Sequence, residues 1–288
     1  MTVGVVAGCG LLVVLGAALA VRWGHLDVVP PWRRGGAVAG NGSGESVGAG
    51  ERVRRLAWFL EVHLLSAVVA GLLVVGPGGR LVMRLLAVTA GQEAQGRVTE
   101  ADQRVGEITV GGTIGLVVFS GMFGAGAIAL VLGALRKWLP PGRWGALAAA
   151  GLLLVAFATR VDPLRPDNPD FGIVGPGWVA VVAFVALAVL GALSLAAVAG
   201  RLSRSLPVLD GSVRTGLLYV PALLLLPITG VVFLAIVVVG GLGVVALSSE
   251  SVRRVWADRR IVTAGRIALA VVGAAVLPGF LSDLAEIL

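Results

Sequence analysis

Two arginines four residues apart interrupt an otherwise apolar stretch, GPGGRLVMRLLAVTAG at residues 76–91. On a helix, Arg80 and Arg84 fall on one face. Guanidinium groups bind phosphate and carboxylate oxygens through paired hydrogen bonds, so this spacing suits a small anion or an anionic lipid. The alternative is internal pairing with the carboxylates that follow along the chain, which are Glu100, Asp102 and Glu107.

A second polar pair lies just before that stretch, in LAWFLEVHLL, where Glu61 and His63 stand among apolar residues. Charged side chains are costly inside a bilayer and are often functional there. Because the two residues are two positions apart, they point to different sides of a helix. The pattern permits an ordinary position at the membrane interface. It equally permits an intramembrane polar site with a proton-binding carboxyl, to which Thr113 of a later apolar run would contribute.

Small residues recur four apart in TVGGTIGLVVFSGMFGAGA, which begins at Thr109. Such spacing forms a groove that lets a second helix approach closely. The pattern predicts a centrally packed helix. The alternative is a narrow solute path lined by small residues and hydroxyls. The packing positions are Gly111, Gly115, Gly121 and Gly124.

The chain has no HExxH, GxSxG, CxxC or P-loop pattern, so the sequence indicates neither an enzyme nor a cofactor or metal site. Cys9 is the only cysteine. It therefore has no partner within the chain for a disulfide.

The elements that hold these residues are apolar helices. Hydrophobic residues make up 57% of the chain and charged residues 14%, whereas soluble domains average about 25% charged. The net charge of +7 comes from arginines at the ends of apolar runs, which is typical of membrane helices rather than of a nucleic-acid surface. Arginine outnumbers lysine 22 to 1, as in a GC-rich bacterial genome.

Seven apolar runs are long enough, or nearly so, to cross a bilayer, which takes about 20 residues. They cover residues 2–21, 56–76, 108–135, 144–159, 173–199, 215–247 and 261–281. The sequence thus predicts an all-α, polytopic transmembrane helix bundle of six or seven spans. Its predicted parts are an N-terminal transmembrane helix at 1–21, a Gly/Arg-rich linker at 22–55 and a helical bundle domain at 56–288.

Local signals predict where these helices end and how they are oriented. Pro77 and the glycines around it predict a break after the second helix, and TEAD at 99–102 predicts a short helix that starts at Glu100. Loops 22–55, 136–143 and 200–214 carry 12 lysines and arginines, against 10 in loops 77–107, 160–172 and 248–260. This excess predicts that the first set is cytoplasmic, with the N-terminus outside and the C-terminus inside.

The order of motifs over about 71–200 resembles a set of uncharacterised multi-pass membrane proteins of actinobacteria and related bacteria. The motifs are GGRLVMRLLAVT, GRVTEADQRVGEITVGGT, RKWLP and RPDNPDFGIVGPGW. These proteins have no assigned activity, so the resemblance implies a helical membrane bundle and no substrate.

We therefore expect a multi-pass protein of the bacterial plasma membrane, structural or accessory rather than enzymatic. Its expected partners are the bilayer and an anionic lipid or small anion at Arg80 and Arg84, and not nucleic acid. The alternative is a small-solute transporter or channel, in which the GPG sequences at 76–78 and 175–177 would mark broken helices around a site.

Overall fold

The computed structural model describes residues 2–24, 27–33, 48–160, 163–223 and 258–288. Across these residues the chain is helical and contains no strand, apart from one isolated bridge between Val98 and Arg104. The prediction of an all-α fold is confirmed. His25, most of the linker and most of run 215–247 lie outside the described residues.

The helices follow the apolar runs of the sequence. In chain order they are α1 (Thr2–Trp23), α2 (Ala49–Ala70), α3 (Gly76–Thr89), α4 (Val110–Leu116), α5 (Ala125–Leu135), α6 (Gly142–Leu153), α7 (Gly177–Ser205), α8 (Val213–Leu223) and α9 (Arg259–Ile287). Three π-helical segments extend or join them without a break, namely Gly71–Val75, Val117–Gly124 and Leu154–Ala158.

Four helical stretches in the described residues are long and apolar enough to cross a membrane. They are Val3–Trp23, Gly50–Thr89, Gly177–Ser205 and Arg259–Ile287, and two shorter apolar stretches are Val110–Phe119 and Gly142–Ala158. The second stretch has 40 residues. At 1.5 Å per residue it is about 60 Å long, twice the hydrocarbon thickness of a bilayer, so part of it must tilt or project.

The predicted break at Pro77 is wrong, because α2 continues through the π-helical segment into α3. The amide of Gly76 donates to the carbonyl of Gly71, five residues back. In an unbroken α-helix the Pro77 ring would meet the carbonyl of Leu73. The wider turn just before the proline changes the hydrogen-bond register at that point, which lets the helix proceed.

Two π-helical segments, Gly71–Val75 and Val117–Gly124, cross with their backbones in contact. A Cβ built on Gly121 would lie 2.9 Å from the carbonyl oxygen of Gly71, and one built on Gly71 would lie 2.6 Å from the carbonyl oxygen of Gly121. Real Cβ atoms essentially never come so near, so both positions require glycine. At Gly111, Gly115 and Gly124, by contrast, a Cβ would meet nothing within 4 Å.

The bundle has two ends, here called the loop end (residues 90–109 and 163–176) and the turn end (residues 136–141 and 206–212). α1 runs antiparallel to α2 and α3, with Gly16 against Val74 and Cys9 close to Arg80. Thr2 therefore lies towards the loop end.

The last helix, α9, runs from the turn end to the loop end. Gly265 packs on Trp138 of the turn end, and Gly279 lies near Arg160. A Cβ on Gly177, where α7 begins, would collide with the carbonyl of Ile287. The C-terminal residue Leu288 is thus at the loop end.

The direction of α9 contradicts the prediction that the two chain ends lie on opposite sides of the membrane. Arg259 and Arg260 belong to the turn end and not, as predicted, with the loop-end residues. Among the described residues, 13 lysines and arginines then lie in the first loop set and at the start of α9, whereas 6 lie in loops 77–107 and 160–172. The charge bias is larger than the sequence count suggested, and both chain ends lie at the same end of the bundle.

The predicted helix at Glu100 is also wrong. The chain there forms a tight hairpin in which Thr99 donates its amide to the carbonyl of Gln103, and Val98 bridges to Arg104. Asp102 has a φ of 54°, in the left-handed region that ends a helix rather than continuing one. The Thr99 hydroxyl accepts from the amide of Gln103 instead of capping a helix.

Candidate anion-binding cavity

A cavity of about 530 Å³ lies at the loop end, and both Arg80 and Arg84 line it. Its walls come from α3, the start of α4, the hairpin around Glu100 and the loop that precedes α7. Ligand cavities in proteins usually measure about 300–1,000 Å³, so this one has room for a headgroup and part of a chain. Its other ionisable lining residues are Arg104, Glu107 and Asp170.

The helical spacing of α3 brings the two arginines to the cavity. Positions four apart lie one above the other on a helix. Val82 and Leu86, on the face of α3 opposite to the arginines, are buried, whereas Met83, Leu85 and Val88 are exposed, at 48%, 46% and 61% of their full accessibility. These exposed apolar residues flank the arginines and suit contact with lipid.

Neither arginine has an ionic partner among the described residues. The ion pairs there join Arg55 to Glu51 and Arg165 to Glu100 and Asp167. The Nε atom of Arg80 is buried and makes no hydrogen bond. Internal pairing with the nearby carboxylates, the alternative raised by the sequence, is therefore not what the structure shows.

Glu100 is held by the loop at 163–176 instead. Both of its carboxylate oxygens lie 2.7 Å from Nη2 of Arg165, and its amide donates to Asp170 Oδ1 at 2.8 Å. The side chain of Asn168 accepts from the amide of Asp170 and caps the 3-10 turn Pro169–Gly172. These contacts fix the outer wall of the cavity.

Arg165 and Asp170 hold Glu100 at the outer wall of the cavity, and the sequence did not single them out. The available signal was the loop itself, RVDPLRPDNPDFG, whose three prolines forbid regular helix and whose charges face water. Nothing in the spacing showed that this loop would meet a hairpin about 65 residues earlier.

The rest of the cavity is largely apolar. Leu116 and Phe119 from the α4 side, with Phe184 from α7, line it together with Gly112 and Gly115. Phe119 is 61% exposed, so the apolar wall continues onto the outer surface of the bundle. Two arginines next to an apolar wall suit an amphiphilic anion.

The other predicted polar residues do not meet at this cavity. Glu61 is 4% exposed and His63 is 3% exposed, both within α2. His63 Nδ1 donates to the carbonyl of Phe59 at 2.7 Å, and the ring borders a separate cavity of about 70 Å³ with Asp27 and Arg136. The Thr113 hydroxyl donates to the carbonyl of its own helix at Thr109, at 2.8 Å.

Among the described residues, no group of three or more His, Cys, Asp or Glu side chains is placed to hold a metal ion. Fold and site define a helical protein with helices long and apolar enough to cross a membrane, and with a basic, partly apolar cavity at one end. No protein-family model, no curated protein and no solved structure matches the chain.

Proposed function

We propose that this is a multi-pass protein of a bacterial plasma membrane that binds one anionic lipid at Arg80 and Arg84, in a structural or accessory role. At least six spans are supported by the described helices. Besides the four long stretches, the backbone is helical without interruption over residues 110–135 and 142–158. The 13 described lysines and arginines of the turn end favour that end as cytoplasmic.

The observation that carries the lipid proposal is the pair of arginines in one cavity without a carboxylate partner. A cation withdrawn from water is unfavourable unless it is paired. Lipid phosphate oxygens would supply charge-assisted hydrogen bonds to both guanidinium groups, which are among the stronger bonds in proteins. The site therefore suits an anion from outside the chain.

The apolar wall favours a lipid over a free anion. A small anion would leave the apolar surfaces of Leu116 and Phe184 in contact with water, whereas an acyl chain would cover them. Exposed apolar residues of α3 and the exposed Phe119 lie beside this wall, which supports a lipid that enters from the bilayer.

The experiment compares lipid retention in two charge-matched double variants. The protein is extracted from membranes and examined by native mass spectrometry with phosphatidylglycerol. We expect R80A/R84A to lose about tenfold or more in binding, since a hydrogen bond to a charged group contributes roughly 1.5–3 kcal/mol. The control R54A/R214A removes two exposed arginines outside the cavity and should retain the lipid.

Equal retention by both double variants would refute the proposal. A competition arm separates the possible ligands: if inorganic phosphate displaces the lipid at a similar concentration, the site is for a small anion. The variant R80K/R84K should bind with intermediate strength, because lysine keeps the charge but not the planar pair of donors.

A further inference from the structure

Glu61 is a buried acid without a partner. The residue is 4% exposed, its Oε1 atom is fully buried, and no hydrogen bond or ion pair joins it to any described residue. It lies well inside the membrane-crossing stretch Gly50–Thr89 and away from the anion-binding cavity. An ionised carboxylate in such a place would be strongly disfavoured.

Two hydrogen-bond donors near Glu61 already donate to other groups. Trp58, three residues earlier on α2, donates its indole Nε1–H to the carbonyl of Leu206 at 3.0 Å. Tyr219 of α8, which lies near Glu61, donates its hydroxyl to the carbonyl of Pro207 at 2.9 Å. Neither proton is available to stabilise a carboxylate.

The other elements packed on α2 bring apolar or small residues to it. α7 contributes Leu195 and Ala199, and α5 contributes Ala129 and Leu130. Among the described residues of the elements packed on α2, Tyr219 of α8 is the titratable group found near Glu61. No cation among them is in contact with the carboxylate.

We propose that Glu61 is a proton-binding site of the bundle, carrying a proton that exchanges with water at the turn end. Glu61 is close to that end, because Trp58, about 5 Å from it along the helix axis, contacts the 206–212 loop. The ligand is the proton itself, so the site is independent of the lipid site.

Infrared spectroscopy of the full chain in bilayers of ether-linked lipids, which lack ester carbonyl groups, tests this directly. At neutral pH a protonated carboxyl gives a C=O stretching band that a carboxylate lacks. We expect this band in the wild-type protein, its loss in E61Q, and its retention in E93Q, where the acid replaced is exposed and lies outside the anion-binding cavity. Transfer into D₂O should shift the band as the proton exchanges.

Two results would overturn the proposal. Absence of the band from the wild-type protein shows that Glu61 is ionised, whether or not E61Q folds. A band that is present but does not shift in D₂O shows a permanently occluded acid rather than a proton-binding site. Far-UV circular dichroism of E61Q establishes that the lost band does not arise from unfolding.

Discussion

The crossing of the two π-helical segments predicts that alanine substitutions at Gly121 and Gly124 change the stability of the protein in opposite directions. In G121A the new methyl group would lie 2.9 Å from the carbonyl oxygen of Gly71 and 2.9 Å from the Cα of Gly76. Both are backbone atoms, so neither can swing aside. Overpacking of this kind costs about 1–3 kcal/mol.

The same substitution also brings a gain. Alanine is favoured over glycine inside a helix by about 1 kcal/mol. At Gly124 a Cβ would meet nothing within 4 Å, so G124A should show the gain alone. G121A should be less stable than the wild-type protein by up to about 2 kcal/mol, and the difference between the two variants, about 1–3 kcal/mol, isolates the steric cost.

The assay is equilibrium unfolding in mixed micelles, with sodium dodecyl sulfate as denaturant and far-UV circular dichroism as the signal. G71A should behave like G121A, since its Cβ would lie 2.6 Å from the Gly121 carbonyl oxygen. The double variant should lose less than the sum of the single losses, because both changes open the same crossing. If G121A proves as stable as G124A, the two backbones do not touch and the crossing is wrong.

Two further predictions concern the ends of the bundle. Reporters fused before Thr2 and after Leu288 should both report the extracytoplasmic side, because both residues lie at the loop end; opposite sides would contradict the direction of α9. At the turn end, hydrogen bonds from the Thr215 hydroxyl and the Ser212 amide lower the pKa of Asp210 to about 2. The ionised form therefore stabilises the fold above about pH 4, the ordinary range for aspartate, and this contribution is lost as pH falls through about 2. The melting temperature of the wild-type protein should exceed that of D210N at pH 5 and converge with it near pH 2, and a constant gap would refute the assignment.

The helical runs were readable from the sequence because lipid leaves the backbone no other partner. A chain that crosses hydrocarbon must satisfy its amide and carbonyl groups within the segment, so hydropathy alone locates most of α1, α2, α7 and α9. The change of register at Gly71–Val75 was not readable. It depends on a helix that crosses at Gly121, and local proline and glycine signals contain no information about that neighbour.

The prediction of a helix at Glu100 failed for a related reason. TEAD has the residues of a helix cap, yet the preference for a cap is worth only about 1 kcal/mol. Contacts with Arg165 and Asp170, from a loop much later in the chain, hold the backbone in a turn instead. Local chemistry was outweighed by tertiary contacts that spacing cannot show.

The same contacts decide whether Glu100 pairs with Arg80 and Arg84. From the sequence, Glu100 was as good a partner for Arg80 and Arg84 as any external anion. The structure gives Glu100 to Arg165 at the outer wall, where both side chains are partly exposed and the pair adds little stability by itself. The pair matters because it holds Glu100 away from Arg80 and Arg84, and neither arginine forms an ion pair with Glu107 or Asp170, the carboxylates that line the cavity. Two guanidinium groups therefore face the cavity without an ionic partner among the described residues, which is the arrangement that the proposed anion site requires.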